Sequence, residues 1–303
     1  MKEPLDNICG IRSVLDQFRM GICMKKQHLL YHYTDYQALD GIVGKAQLRL
    51  NNLLNMNDAA EMRLFMGGLS SAVMERLQRD GAQEALKAVK KLFQEEVKKE
   101  FYYSAYAACF SKNRDDAAQW ERYGNHGRGV CIAFSKELLQ KMAAGIVSLE
   151  EVYYRADMRT HKLVDTFYEL VKDSRGGLKE DPRVMACLEE AWIASAAFKH
   201  PSFASEKETR LVASPFSKKY FDVEPCYHIS TERIKKYYPL DLRKMCENAG
   251  CSLEDAIDEI MIGPESTQSK AILEDYLKDT GMGGLAGKVA ISDCPLRRSY
   301  TTS

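Results

Sequence analysis

Short strand-like blocks stand directly against helical segments along this chain in no regular repeat, and that irregular alternation constrains the fold more than any other feature. His28-Leu29-Leu30-Tyr31-His32-Tyr33 is aromatic and apolar and stops at Thr34. Thr34 and Gln37 have capping-box spacing, so a strand is expected to run straight into a helix whose buried face is Ala38, Leu39, Ile42 and Val43. Gln47 to Leu50 alternates polar and apolar residues as a second strand, followed by an Asn-rich turn over 51–57. Further strands are predicted at 102–111, 129–134, 147–154, 209–213, 226–229, 257–262 and 289–292. Between them, a helical region from Asp58 to about Glu100 opens with a second capping box, Asp58 with Glu61, and is punctuated at Gly67-Gly68 and near Gly81. One helix is centred on 163–171, another starts from Asp181 with Pro182 at its first position, and a third surrounds 272–277. An amphipathic lead helix is expected within 4–25. With no internal repeat and no Pro/Ser linker, the expectation is a single α+β domain over 1–303, with helical insertions at about 58–100 and 160–200.

Composition narrows the function. At 45% hydrophobic with 19 Gly and 8 Pro, the chain is neither disordered nor collagen-like. Its 43 basic side chains balance 43 acidic ones, which argues against a surface that is one phosphate-binding field. Lys25-Lys26, Lys218-Lys219 and Arg297-Arg298 are solvated surface charge or, alternatively, a local patch. The nine cysteines include no Cys-x-x-Cys pair and no histidine pair to complete a zinc pattern, so they are expected to be free thiols with no metal bound. Glu3, Asp6 and Asp16 interrupt what a secretory signal would keep apolar, and no run approaches the roughly 18 apolar residues of a membrane span. A cytoplasmic protein without a membrane partner is the expectation.

Phosphate-loop, Rossmann, nucleophile-elbow and zinc-protease motifs are all missing. What remains are polar and aromatic residues at strand ends. His32 is placed to offer a ring nitrogen to a sugar hydroxyl, or to tie its own turn together. Cys109-Phe110-Ser111 brings a hydroxyl to a strand end, and Trp120 and Tyr123 project from the next helix, Trp120 toward the core and Tyr123 toward a site. Glu206 and Glu208, two apart at a strand mouth, present two carboxylates to one side; they repel unless a cation such as Lys199 or Arg210 lies between them.

Tyr31-His32-Tyr33-Thr34, Leu48 to Asn52 leading into Met56 to Glu61, Cys109-Phe110-Ser111, Trp120 to Gly124 with Gly127 to Ile132, Lys199 with Glu206 to Arg210, and Ile260 to Pro264 together resemble the bacterial domain-of-unknown-function family 2971. The likeness runs over about 28–298. Where that family commonly has a bulky residue after the second glutamate, this chain has Thr209.

The family's histidine, central aromatic and late glutamate are in turn similar to the His-Tyr-Glu signature of ADP-ribosyltransferases. That similarity implies an ADP-ribosyltransferase-like split β-sheet core binding NAD as substrate. Glu208, Glu206 and His32 would be catalytic; His32, Tyr33, Thr34, Phe110, Ser111 and Tyr123 would bind NAD. In that scheme Tyr123, with Phe110, stacks on nicotinamide, and Glu208 bonds the nicotinamide-ribose 2′-hydroxyl while Glu206 orients the acceptor. The implied activity is glycosyl transfer to a protein or nucleic-acid acceptor, in a bacterial toxin or antiphage effector. NAD glycohydrolysis and non-catalytic nucleotide or partner binding are the alternatives. Glu208→Gln is expected to leave folding intact and abolish nicotinamide release.

Overall fold

The structure, a computed structural model, describes residues 28–55, 61–96, 98, 105–154, 157–158, 161–213, 223–229 and 234–296. The expected lead helix, Asp58 and the three basic pairs lie outside them. The chain begins with β1 (Leu29–Thr34), α1 (Tyr36–Leu39), β2 (Gln47–Asn52), α2 (Glu61–Arg79), α3 (Gln83–Glu96), β3 (Tyr106–Ser111), α4 (Ala117–Tyr123) and β4 (Val130–Ser135). It continues through α5 (Lys136–Ala143), β5 (Ser148–Glu151), β6 (Tyr153–Tyr154), α6 (Lys162–Val171), α7 (Pro182–Ser195), β7 (Phe198–Lys199) and β8 (Glu208–Ala213). The last elements are β9 (Cys226–Ile229), β10 (Ile234–Asp241), α8 (Leu242–Ala249), α9 (Leu253–Ala256), β11 (Ile257–Ile262), α10 (Lys270–Asp279) and β12 (Val289–Ile291).

The architecture is α+β. A mixed sheet of ten strands runs β12-β11-β4-β1-β3-β2-β10-β9, with β8 on β3 and β5 on β8. β3 is the fork of this sheet. One of its edges pairs with β8 from Tyr106 to Ser111. The other edge is divided: Asn51 and Asn52 of β2 pair with Ala107 and Tyr106, and Tyr31 of β1 pairs with Ser111. Extended registers would bring both His32-Tyr33-Thr34 and Leu48-Arg49-Leu50 onto Ala108 to Phe110. Both strands peel away instead, β1 onto β4 through all six of its residues and β2 onto β10. A cleft opens where they diverge.

The two faces of the sheet are covered differently. On one, a single apolar layer joins Leu30, Leu48, Phe110, Ile132 and Phe134 to α5, α8 and α10. On the other lie two separate clusters. Tyr31, Tyr33, Cys131, Ala133 and Met261 pack with Trp120 on one side of the cleft. Ala107 and Val212 pack with α2, α3, α6 and α7 on the other. The helices of the two expected insertions thus build one layer. β4 is buried at all six positions because it is covered on both faces, which is why its sequence lacks alternation.

Several local expectations change. Thr34 does not cap α1: it is still paired to Val130, and Asp35 takes the cap by accepting from the Ala38 amide at 2.7 Å. Gly67-Gly68 does not interrupt α2, which runs unbroken to Arg79. Gly68 is required there by proximity, since a Cβ would come within 2.6 Å of Met158. The strand expected over 147–154 is divided at Val152 into β5 and β6. β7, β10, α5 and α8 were not expected.

Candidate functional site

The cleft encloses about 380 Å³ and is lined from both arms of the fork, within the range of small-molecule sites. All eight residues singled out for catalysis or NAD binding line it. The structure gives them different tasks.

Glu206 and Glu208 do not share a strand. Glu206 ends a 3₁₀ turn (Pro201–Glu206), Lys207 takes a left-handed φ of 44°, and Glu208 opens β8. A left-handed non-glycine costs about 1–2 kcal/mol, and two bonds hold it here. Ser111 Oγ donates to the Glu206 carbonyl at 2.7 Å, and the Lys112 amide donates to the Lys207 carbonyl at 3.1 Å. The carboxylates nevertheless meet, because Lys199 is placed between them. Its Nζ lies 2.7 Å from Glu206 Oε2 and 3.0 Å from Glu208 Oε2. The intervening cation considered from sequence is therefore present, and it is 4% exposed.

Each carboxylate has further donors. Arg210, 0% exposed, donates Nε to Glu208 Oε1 at 2.7 Å and Nη2 to Oε2 at 3.1 Å, while its Nη1 reaches the Ala196 carbonyl at 2.8 Å. Glu206 Oε1 accepts from Tyr123 Oη at 2.9 Å and from Arg122 Nη1 at 3.0 Å. Burial pushes the Glu208 carboxyl up, but Arg210 and Lys199 outweigh it and hold it at about 2. Glu208 is a fixed negative charge at neutral pH. Burial, aided by Glu208, pushes the neighbouring Cys109 thiol well above its usual range, so it is protonated. The Glu208 amide donates to Tyr154 Oη at 2.8 Å, and burial pushes that phenol up to about 12.

His32 reaches across the fork, its Nδ1 2.8 Å from the Cys109 carbonyl. It ties β1 to β3, not its own turn. Burial lowers its pKa against the opposing effects of that carbonyl and Asp35, so the ring is neutral, with Nδ1–H donating and Nε2 left as an acceptor. Tyr33 is structural: its hydroxyl donates to the Asn113 carbonyl at 2.9 Å, accepts from the Asp116 amide at 3.1 Å, and its ring stands edge-on to Trp120 at 4.9 Å. Phe110 borders the cleft with its ring turned into the apolar layer, 1% exposed and 5.6 Å from Phe134. Of the two rings expected to stack, Tyr123 is the one that keeps partial exposure. Trp120 is in the core, as expected, its indole donating to Asp115 Oδ1 at 2.7 Å. Thr34 forms the lip, and Gly129 must be glycine because a Cβ would come within 2.1 Å of the Thr34 carbonyl.

Lys199, Arg210, Arg122 and Tyr154 complete the centre, although sequence reasoning had placed none of them in a binding or catalytic role. For the first two, the signal was the acid-rich Glu206 to Arg210 segment, which demands counter-charge once buried. Arg122 and Tyr154 carried no such signal. Among the described residues, no group of three or more His, Cys, Asp or Glu is placed to share a metal ion.

Residues 119–211 match the family model described as "Protein of unknown function (DUF2971)", a segment from within α4 into β8 that includes Arg122, Tyr123, Lys199, Glu206, Glu208 and Arg210. His32 and the other arm of the fork lie outside the matched segment. No curated protein and no solved structure matches the chain.

Proposed function

We propose that the cleft binds NAD and that the protein is an ADP-ribosyltransferase-like enzyme acting on a macromolecular acceptor. The observation that carries this reading is a split in the sheet holding a buried Glu208, ionised at neutral pH, beside Glu206 and Tyr123. Cleaving the bond between ribose C1′ and nicotinamide sends the bonding electrons to the leaving base, which departs neutral. Positive charge develops on the sugar. A carboxylate that is already oriented and charged stabilises that development without reorganising, an effect on the order of a hundredfold to a thousandfold in rate. In this reading Tyr123 stacks on the nicotinamide and Glu206 orients the acceptor. The acceptor's nucleophilic atom forms the new bond to C1′ and gives up its proton to water or to Glu206. The neutral His32 offers Nε2 to a ribose hydroxyl.

A second reading, a non-catalytic nucleotide-binding module, is favoured by one observation: both Glu208 oxygens are already held by Arg210 and Lys199. Purified protein incubated with labelled NAD and a cell lysate separates the two. Transferase activity gives nicotinamide release and label on protein, RNA or DNA; binding without release overturns it. Loss of transfer in Glu206→Gln with NAD hydrolysis retained would mark transfer as the native reaction. Equal nicotinamide release by wild type and Glu208→Gln would end the assignment.

A further inference from the structure

The whole chain is neutral, but among the described residues that line the cleft there are five Lys and Arg against three Asp and Glu. Two of those acids, Glu206 and Glu208, are held by Lys199, Arg122 and Arg210 at the closed end. The third, Asp35, caps α1. The remaining basic residues are gathered at the other end, on the β2–β10–β9 arm. Lys235 of β10 is directly opposite His228 of β9, and Arg49 of β2 is opposite Pro239 of β10. Cross-strand partners and residues two apart share a face, so Arg49, Lys235 and His228 project from one face of three neighbouring strands. The same rule, followed through Asn51, Ala107 and Ser111, puts them on the face that bears Glu208. Arg49 is steadied over the Tyr237 ring at 5.2 Å, whereas Lys236, the next residue of β10, projects from the opposite face, over the Tyr238 ring at 5.6 Å. Arg49, His228 and Lys235 are each partly exposed.

Side chains of arginine, lysine and histidine presented from three adjacent strands on one face of the cleft offer N–H donors that an anionic group can bridge. We propose that Arg49, His228 and Lys235 form a subsite for the diphosphate of a small nucleotide, with its nucleoside portion extending toward Tyr123 and Glu206. The cleft volume of about 380 Å³ fits one small ligand, not an extended strand. The proposal rests on the cleft being the nucleotide site, as proposed above, but requires no turnover of NAD.

Calorimetric titration of the full chain with ADP and with adenosine tests it, together with the double variant Arg49→Gln/Lys235→Gln. ADP is expected to bind wild type at least tenfold more tightly than adenosine, with affinity falling as salt rises. The double variant is expected to lose at least tenfold for ADP and less than twofold for adenosine. If the double variant loses its cooperative thermal transition, Arg49→Gln and His228→Gln singly carry the same comparison. The subsite is overturned if wild type shows no preference for ADP, including no binding of either ligand. It is also overturned if the preference survives the substitutions, or if a single-stranded oligonucleotide binds more tightly than ADP. Nicotinamide release measured on the same samples keeps the two proposals apart. ADP preference without release removes the enzyme and leaves the subsite; release with no ADP preference does the reverse.

Discussion

The two faces of the central sheet solve opposite problems. One carries an uninterrupted apolar layer across both arms of the fork, from Ile260 and Phe134 through Phe110 to Leu48 and Leu240. On the other, that layer is broken between the Trp120 cluster and the α2–α7 cluster, and the gap is filled by Lys199, Glu206, Glu208 and Arg210. The continuous face holds the arms together, so β1 and β2 can separate without the sheet coming apart. The broken face supplies a site whose charges are fixed by one another. Buried ion pairs of this kind add little net stability over an apolar replacement, but removing one member leaves an uncompensated charge.

The largest effect should therefore come from breaking the network. Arg210→Met and Glu208→Gln are each expected to lower stability by about 3–5 kcal/mol in urea unfolding, while the same measurement on a conservative change in the continuous layer, Ile260→Val, should show only about 0.5–1.5 kcal/mol. This corrects the sequence-based expectation that Glu208→Gln leaves folding intact: its guanidinium partner is 0% exposed. Loss of activity in that variant counts only where its melt shows it folded.

Next comes pH. Glu208 is held at about 2 in the folded chain against an ordinary 4.5, so the unfolded chain binds the proton first as pH falls. Its contribution, about 3 kcal/mol at about 1.4 kcal/mol per unit, is present above pH 4.5 and lost as pH falls from 4.5 toward 2. Unfolding titrations across that window should show the loss in wild type and lack most of it in Glu208→Gln. A curve unchanged by the substitution would mean the network does not hold Glu208 ionised.

Smaller effects are expected at the edges of the network. Tyr123→Phe removes one of three donors to the Glu206 carboxylate and is expected to cost about 1.5–3 kcal/mol in stability, since the acceptor is charged. His32→Ala releases the tie between β1 and the Cys109 carbonyl, and calorimetry should show weaker NAD binding; unchanged affinity would detach His32 from the site. Least of all, Lys141→Ala breaks an exposed i,i+4 pair with Glu137 and should change stability by no more than about 0.5 kcal/mol.

Much of the scaffold was legible because local chemistry decides it. Cys226–Ile229 and Ile257–Ile262 were predicted to the residue, and Asp181 caps α7 with Pro182 in its first turn. Failures came where a neighbour overrides local preference. Ile234–Asp241 contains two lysines and a proline, and it is a strand because β2 and β9 flank it on both sides. Gly67-Gly68 reads as a break until Met158 is packed against it. The basic end of the cleft was invisible, because Arg49 and Lys235 are far apart in sequence and the pairs that stood out as charge clusters were others.

The sequence by itself determined the α+β class, the neutral overall charge, Trp120 as core, and a set of eight residues that do border one cleft. The class, the charge and the core tryptophan follow from periodicity, composition and residue type, which act over a few neighbours, whereas Tyr33, Thr34 and Phe110 entered the eight through the family resemblance. It took the tertiary fold to part β1 and β2 along β3, to stand Lys199 between two glutamates, and to bury the ring of Phe110 in the apolar layer. Strand register and burial set these outcomes. Register fixes which face a side chain takes, and burial fixes whether a charge can exist there without a partner.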